Sequence, residues 1–199
     1  MNRKQQQAEE TRARILAAAE QCFARYGYDA TGVAEICACA GLSKGAFYHH
    51  FASKQEVFLA LLRRWVEATD AQMAALRGEA DNVPQSLIAM AGVVGEILRT
   101  ASDKLPIYLE FWSKAARDPQ VWQGTVEPLH RFRDFFAALV EAGIAEGSLR
   151  PVDPQAAAWA ILALGAGLLM AGLLDPQGAD WQQISQQSLQ MLLEGLSQG

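Results

Sequence analysis

The chain has 199 residues, 51 % of them hydrophobic and 20 % charged, which excludes global disorder and allows one large domain or two small ones. A formal net charge of -5 argues against a protein that coats nucleic acid through overall positive charge, while leaving room for a local DNA-binding surface. The odd set of three cysteines and the absence of an apolar stretch near Met1 point to a reduced, cytoplasmic chain rather than an oxidised secreted one.

Helical spacing recurs along the sequence and no stretch sustains a period of two, so the expected class is all-α with about nine helices. Residues 8–26 carry Ile15, Leu16, Ala19, Cys22, Phe23 and Tyr26 on one stripe, and Gly27 follows as a C-cap. Thr31 is the expected N-cap of a short helix that ends at Ala40 before Gly41. Ser43 is expected to cap another, ending near Phe51. Ser53 and Glu56 form a capping box for a helix with Val57, Phe58, Leu61, Leu62 and Trp65 on one face. That helix should run to about Arg77.

Further helices are expected over residues 84–100, 104–116 and 122–145; Pro106 and Pro128 should delay or kink the last two. Asp153 and Pro154 open a long helix, and Asp180 caps a final one to about Gly195. Residues 156–174 contain no charge over 19 positions, close to a membrane-spanning length. The stretch is rich in Ala and Gly, and its far end lacks a flanking Lys or Arg. It therefore reads as a buried or interface helix, with no membrane expected.

Residues 28–58 carry the specific information. Two short helices joined by a tight turn containing Gly41 follow the helix-turn-helix plan. On a helical wheel, Ser43, Phe47, His50 and Phe51 crowd one side of the second helix, with Gly45, Tyr48 and His49 opposite. Lys44 and Ala46 lie at the margins. Phe47 and Phe51 thus anchor the helix, while its outward arc is small, polar and aromatic, as suits a major groove.

The string Ala40-Gly41-Leu42-Ser43-Lys44-Gly45-Ala46-Phe47-Tyr48-His49-His50-Phe51, followed by Lys54 and Glu56, resembles the signature of the TetR/AcrR family of transcriptional regulators. The resemblance implies a helix-turn-helix DNA-binding domain over 1–54 and an effector-binding and dimerisation domain over 55–199. It implies that Thr31 and the nearby helix-end amides hold a phosphate. Ser43, Lys44, Gly45 and Ala46 would face bases or phosphates, and Tyr48, His49 and Lys54 would reach backbone phosphates. The implied function is a ligand-responsive dimeric repressor, released from a palindromic double-stranded DNA operator by a small molecule. A transcriptional activator and a constitutive DNA binder without a ligand are the alternatives.

No metal or cofactor is expected. His49 and His50 are neighbours about 100° apart on a helix and have no supporting carboxylate or thiol at helical spacing. Cys37 and Cys39 diverge by roughly 200° and read as small buried residues rather than a zinc or redox motif. The sequence holds no Ser/His/Asp set, phosphate loop or supported acid pair, so an enzyme is not expected.

The family implies a small-molecule cavity among the later helices, with Met90, Tyr108, Phe111, Trp112, Phe132, Phe136, Trp159 and Met170 as candidate lining. Glu110 reads as a salt-bridge partner of Lys114 rather than an effector contact. Ala163, Gly167 and Ala171 place small residues four apart. This suits a homodimer interface built from helices over about 154–174 and 181–196. The charge also divides. Residues 1–54 hold seven Lys/Arg against five Asp/Glu, and residues 55–199 ten against seventeen. The acidity therefore belongs to the second part.

Overall fold

The computed structural model describes residues 3–101 and 119–196, with residues 107, 109, 113 and 117 between them. Among the described residues the chain is all-helical. The helices are α1 (Arg3–Tyr26), α2 (Val33–Ala40), α3 (Lys44–His50), α4 (Lys54–Glu79), α5 (Val83–Ala101), α6 (Pro119–Ala145), α7 (Pro154–Leu174) and α8 (Trp181–Glu194). Most of the helix expected over 104–116 lies outside the described residues. Two compact units result: Met1–Glu67 with Asp103–Thr125, and Ala68–Ser102 with Val126–Gly199.

In the first unit, the expected stripe of α1 buries Ile15, Leu16, Ala19, Cys22 and Phe23, whereas Tyr26 is exposed. Gly27 ends the helix at φ 83°, a left-handed conformation that costs glycine little, and its N–H donates to the Phe23 carbonyl. Phe23, Tyr28 and Phe58 form an aromatic cluster with ring centroids 5.2 to 6.0 Å apart. Val57, Phe58, Ala60, Leu61 and Leu62 are all buried. The boundary expected between residues 54 and 55 therefore falls inside this unit, because the first turns of α4 complete its core.

The α2–α3 turn follows its sequence signals. Gly41 adopts φ 63°, and the N–H groups of Gly41 and Leu42 donate to the Ala38 and Cys37 carbonyls. Ser43 then caps α3 by accepting from the Ala46 N–H at 3.2 Å. At α4, Ser53 Oγ accepts from the Glu56 N–H, while the Glu56 carboxylate accepts from the Ala52 N–H. The capping box forms with its return bond shifted by one residue.

The start of α2 departs from expectation. The helix begins at Val33 with Gly32, not Thr31, at the N-cap. Glu35 Oε2 accepts from the Gly32 N–H at 3.0 Å, so a carboxylate three residues on supplies the cap. A Cβ at Gly32 would meet that oxygen at 2.6 Å, so a larger residue there would make the Glu35 carboxylate shift.

In the second unit, α5 packs against α7 and α8, and α7 against α8. Its core gathers Val83, Leu87 and Met90 from α5, Phe136, Leu139 and Val140 from α6, Ala157, Ala158 and Ile161 from α7, and Leu189 and Leu193 from α8. Close approach explains two glycines. A Cβ at Gly95 would fall 2.6 Å from Gln182 Cα in α8, and one at Gly172 would fall 2.5 Å from Leu98. Pro128 sits inside α6 without ending it, so the expected later start does not occur. Asp153 and Asp180 cap α7 and α8 through their carboxylates, as expected.

α7 is long and apolar enough to cross a membrane by length and composition. Its burial is one-sided. Ala157, Ala158, Ile161 and Gly172 are covered. Ala156, Ala160, Ala163, Gly167, Met170 and Leu174 are exposed at alternating steps of four and three residues, with Trp159 and Ala166 exposed beside them. Small and apolar residues thus form a continuous uncovered stripe along the helix.

Candidate nucleic-acid interface

α3 is a seven-residue helix whose two faces differ completely. Phe47 is fully buried and Phe51, just past its end, nearly so. Ser43, Lys44, Gly45, Tyr48 and His49 are exposed, and Ala46 is half-buried. The helical wheel predicts this division for Phe47, Phe51, Gly45, Tyr48 and His49; Ser43, placed by it on the inner side, is exposed because it stands at the N-cap, before the helix begins. The division brings two nitrogen-bearing side chains, two hydroxyls and a glycine to one short surface.

Packing holds these groups in place. The Tyr48 ring meets Phe47 edge-on, with centroids 5.4 Å apart, while 54 % of Tyr48 remains exposed. The His49 and His50 rings stand edge to face at 5.2 Å. Ser43 Oγ accepts the cap bond, which leaves its hydroxyl hydrogen able to donate outward. Gly45 has only Ser43 Oγ nearby, 3.8 Å from where a Cβ would stand, so an approaching groove would meet backbone there. The arrangement offers hydrogen-bond donors and a close-contact surface, the chemistry that phosphates and base edges require.

Two implied DNA contacts are placed otherwise. Thr31 is completely buried, and its hydroxyl points to the Gly27 carbonyl at 2.8 Å and the Cys22 carbonyl at 3.2 Å. It ties the 27–31 turn back to α1 and presents nothing to a phosphate. The Lys54 ammonium donates to the carbonyls of Tyr28 at 2.6 Å, Thr31 at 2.7 Å and Asp29 at 3.4 Å. It also stands 4.3 Å from the Tyr28 ring centroid. Three carbonyls match its three N–H groups, so Lys54 is a clamp on the loop before α2. Both corrections share one cause: residues that are remote in sequence supply acceptors, and a buried or half-buried polar group takes the nearest.

Sequence reasoning missed two arginines of α1. Arg14 Nη2 donates to the Ala40 carbonyl at 2.6 Å, neutralising the C-terminal end of α2. The Arg12 guanidinium lies 4.9 Å from the Phe51 ring centroid. Each holds one end of the motif, and no local spacing links residues so far apart in the chain.

The candidate effector residues that the structure describes are divided between the core of the second unit and the surface of α7. Tyr108, Phe111 and Trp112 lie outside the described residues. Met90 and Phe136 are buried within the packed core of the second unit, and Phe132 is half-buried. Trp159 and Met170 belong to the exposed stripe of α7, 42 % and 43 % accessible. Helical spacing identifies an apolar face but not what covers it. A cavity of about 270 Å³ is instead lined by residues including Gly95, Leu98, Arg99, Gly172, Asp180 and Trp181.

No group of three or more His, Cys, Asp or Glu side chains among the described residues could hold a metal ion. All three cysteines are thiols. Cys37 is buried as expected, but Cys39 is exposed.

Comparison with known proteins agrees with this architecture. The model of the bacterial regulatory proteins of the tetR family matches residues 15–61. That of the BetI-type transcriptional repressor C-terminal domain matches residues 89–196. The chain is 31 % identical to the transcriptional regulator TtgR of Pseudomonas putida over 188 residues, covering 90 % of this chain and 88 % of that one. It is 35 % identical to the transcriptional repressor Rv1474c of Mycobacterium tuberculosis over 118 residues, 58 % of this chain and 57 % of the relative. GusR of Salmonella enterica superposes with a TM-score of 0.75 at 26 % identity, covering 93 % of this chain and 96 % of its own. With an exposed polar side on α3, an all-helical frame among the described residues and these matches over both halves, the chain belongs to the TetR family of bacterial transcriptional regulators.

Proposed function

We propose that the protein is a cytoplasmic, homodimeric repressor that holds a palindromic operator through α3 and releases it when a small molecule binds the second unit. The observation that carries this reading is the two-faced α3: Phe47 fully buried, with Lys44, Gly45, Tyr48 and His49 exposed. Ser43, Lys44, Gly45 and Ala46 would meet bases or phosphates, and Tyr48 and His49 the backbone. Thr31 and Lys54 act indirectly, by fixing the loop that enters α2.

Dimerisation is supported by the uncovered stripe of α7, where Ala163 and Gly167 allow close helix approach and Trp159, Met170 and Leu174 supply apolar area. A two-fold pair of recognition helices reads both halves of a palindrome, whereas one short helix reads too little sequence. The cavity beside Arg99 and Asp180 is near the lower size of small-molecule sites. Release requires the effector to bind more tightly to the conformation unsuited to DNA, and DNA must then weaken effector binding equally. The protein acts by binding alone, without catalysis.

Selection of bound sequences from a random duplex pool tests the reading. The purified protein should return a palindrome, and a reporter placed behind that sequence should fall in expression when the protein is present. A pool with no sequence preference, or a rise in reporter expression, would overturn it.

A further inference from the structure

Cys22 in α1 and Cys39 in α2 are separated by 17 positions in sequence, yet their sulfurs lie 3.0 Å apart. That is about 1 Å beyond a covalent S–S bond of 2.03–2.05 Å, a gap that small side-chain rotations can close. The two thiols differ in surroundings. Cys22 is buried in the core of the first unit, and Cys39 is exposed. Cys37, on the same helix as Cys39, is buried and points about 200° away around the helix axis.

We propose that Cys22 and Cys39 form a reversible redox site, in which a hydroperoxide oxidises the pair to an intrachain disulfide that ties α1 to α2. The exposed Cys39 sulfur attacks one peroxide oxygen. The O–O bond breaks, the other oxygen leaves as an alcohol or water after taking a proton, and Cys39 becomes a sulfenic acid. The Cys22 sulfur then attacks the Cys39 sulfur, forming the S–S bond and breaking the S–O bond. The departing hydroxide takes the Cys22 proton and leaves as water. Two thiols and one hydroperoxide thus yield one disulfide, one alcohol or water from the peroxide, and one water.

The order of events follows from the surroundings. Burial, and then the contact with Cys39, push the Cys22 thiol up to about 11, so it stays protonated and shielded until a neighbouring sulfur is activated. Cys22 is thereby a resolving thiol, held in contact with the sulfur that solvent reaches. The proposal concerns α1 and α2 alone and stands independently of what α3 binds.

The test is to treat the reduced, full-length protein with stoichiometric hydrogen peroxide under native conditions and map its peptides without reductant. The expected product is a chain 2 Da lighter with a Cys22–Cys39 link, restored to two thiols by dithiothreitol. The link should close the loop between the two positions and raise the melting temperature by a few degrees. Cys37→Ser should behave as wild type, and Cys39→Ser, altered at an exposed position, should fold normally and form no disulfide. Cys22→Ala should stop at a sulfenic acid on Cys39 that a dimedone probe captures. Cross-links between two chains, a link involving Cys37, or Cys39 oxidised beyond the sulfenic acid while Cys22 remains a thiol would each overturn the proposal.

Discussion

The ammonium of Lys54 donates to the backbone carbonyl of Thr31 across 2.7 Å, joining the start of α4 to the loop that leads into α2. The family signature implies a phosphate contact for each of these residues. The bond between them assigns both to the frame instead. Lys54 is therefore expected to govern stability. Lys54→Met keeps the aliphatic stem but removes the hydrogen bonds to Tyr28, Thr31 and Asp29. It should cost about 2 kcal/mol, in keeping with hydrogen bonds to a charged group. Denaturant unfolding measures this, and unchanged stability with lost operator binding would return Lys54 to the DNA surface.

Residues on the outward side of α3 should show the opposite pattern. Lys44→Ala and Tyr48→Phe remove exposed groups and should leave stability within about 0.5 kcal/mol of wild type. Operator affinity should fall at least tenfold for Lys44→Ala, with the slope of log affinity against log salt reduced by about one. Fluorescence anisotropy at several salt concentrations gives both numbers. Wild-type affinity in both variants would remove α3 from the interface.

The α7 stripe makes a claim about assembly. Ala163→Glu places a charge where exposed Ala160, Ala166, Gly167 and Met170 leave an apolar surface. In an isolated chain that charge stays in water and costs little. In a dimer packed along the stripe it is desolvated, and the dimer should dissociate. Light scattering after size exclusion should read the wild type at twice the chain mass and the variant at the chain mass. Equal masses would place any dimer contact elsewhere.

A pH effect is expected at the start of α5. The Glu146 carboxylate accepts from the Ser148 hydroxyl at 2.6 Å and the Val83 N–H at 2.8 Å. Those bonds, the Ser148 contact foremost, hold its pKa below the ordinary value of 4.5. A folded pKa below the unfolded one means the stabilisation is present above about pH 4.5 and is lost as pH falls through the folded value. Glu146→Gln should therefore flatten the decline in stability between pH 6 and about pH 3 relative to wild type. Parallel curves for the two proteins would contradict this.

Much of the motif was legible because its signals are local. Gly27 and Gly41 mark turns that need positive φ, and Ser43 and Ser53 supply caps within three residues of the amides they serve. Spacing alone separated Phe47 from Tyr48, since adjacent helical positions face different sides. What failed were assignments that depend on distant partners. Thr31 looked like a cap until Glu35 proved to cap Gly32. Trp159 and Met170 looked like pocket lining, although nothing in the described chain covers them. Cys39 reads from spacing as a small buried residue, whereas it is exposed and its sulfur meets Cys22 of another helix.

The helical class, the positions of the turns and the outward side of α3 are all written in the order of the residues. Each follows from backbone hydrogen bonds and side-chain spacing within one or two helical turns. It takes the packed helices to show that Lys54 clamps a loop, that Arg12 and Arg14 secure the motif, that α7 leaves an apolar stripe uncovered, and that two thiols 17 positions apart nearly touch. Those relationships arise where helices pack. A long polar side chain there bonds to whichever acceptor the neighbouring helix presents, and the identity of that neighbour is not encoded within either helix alone.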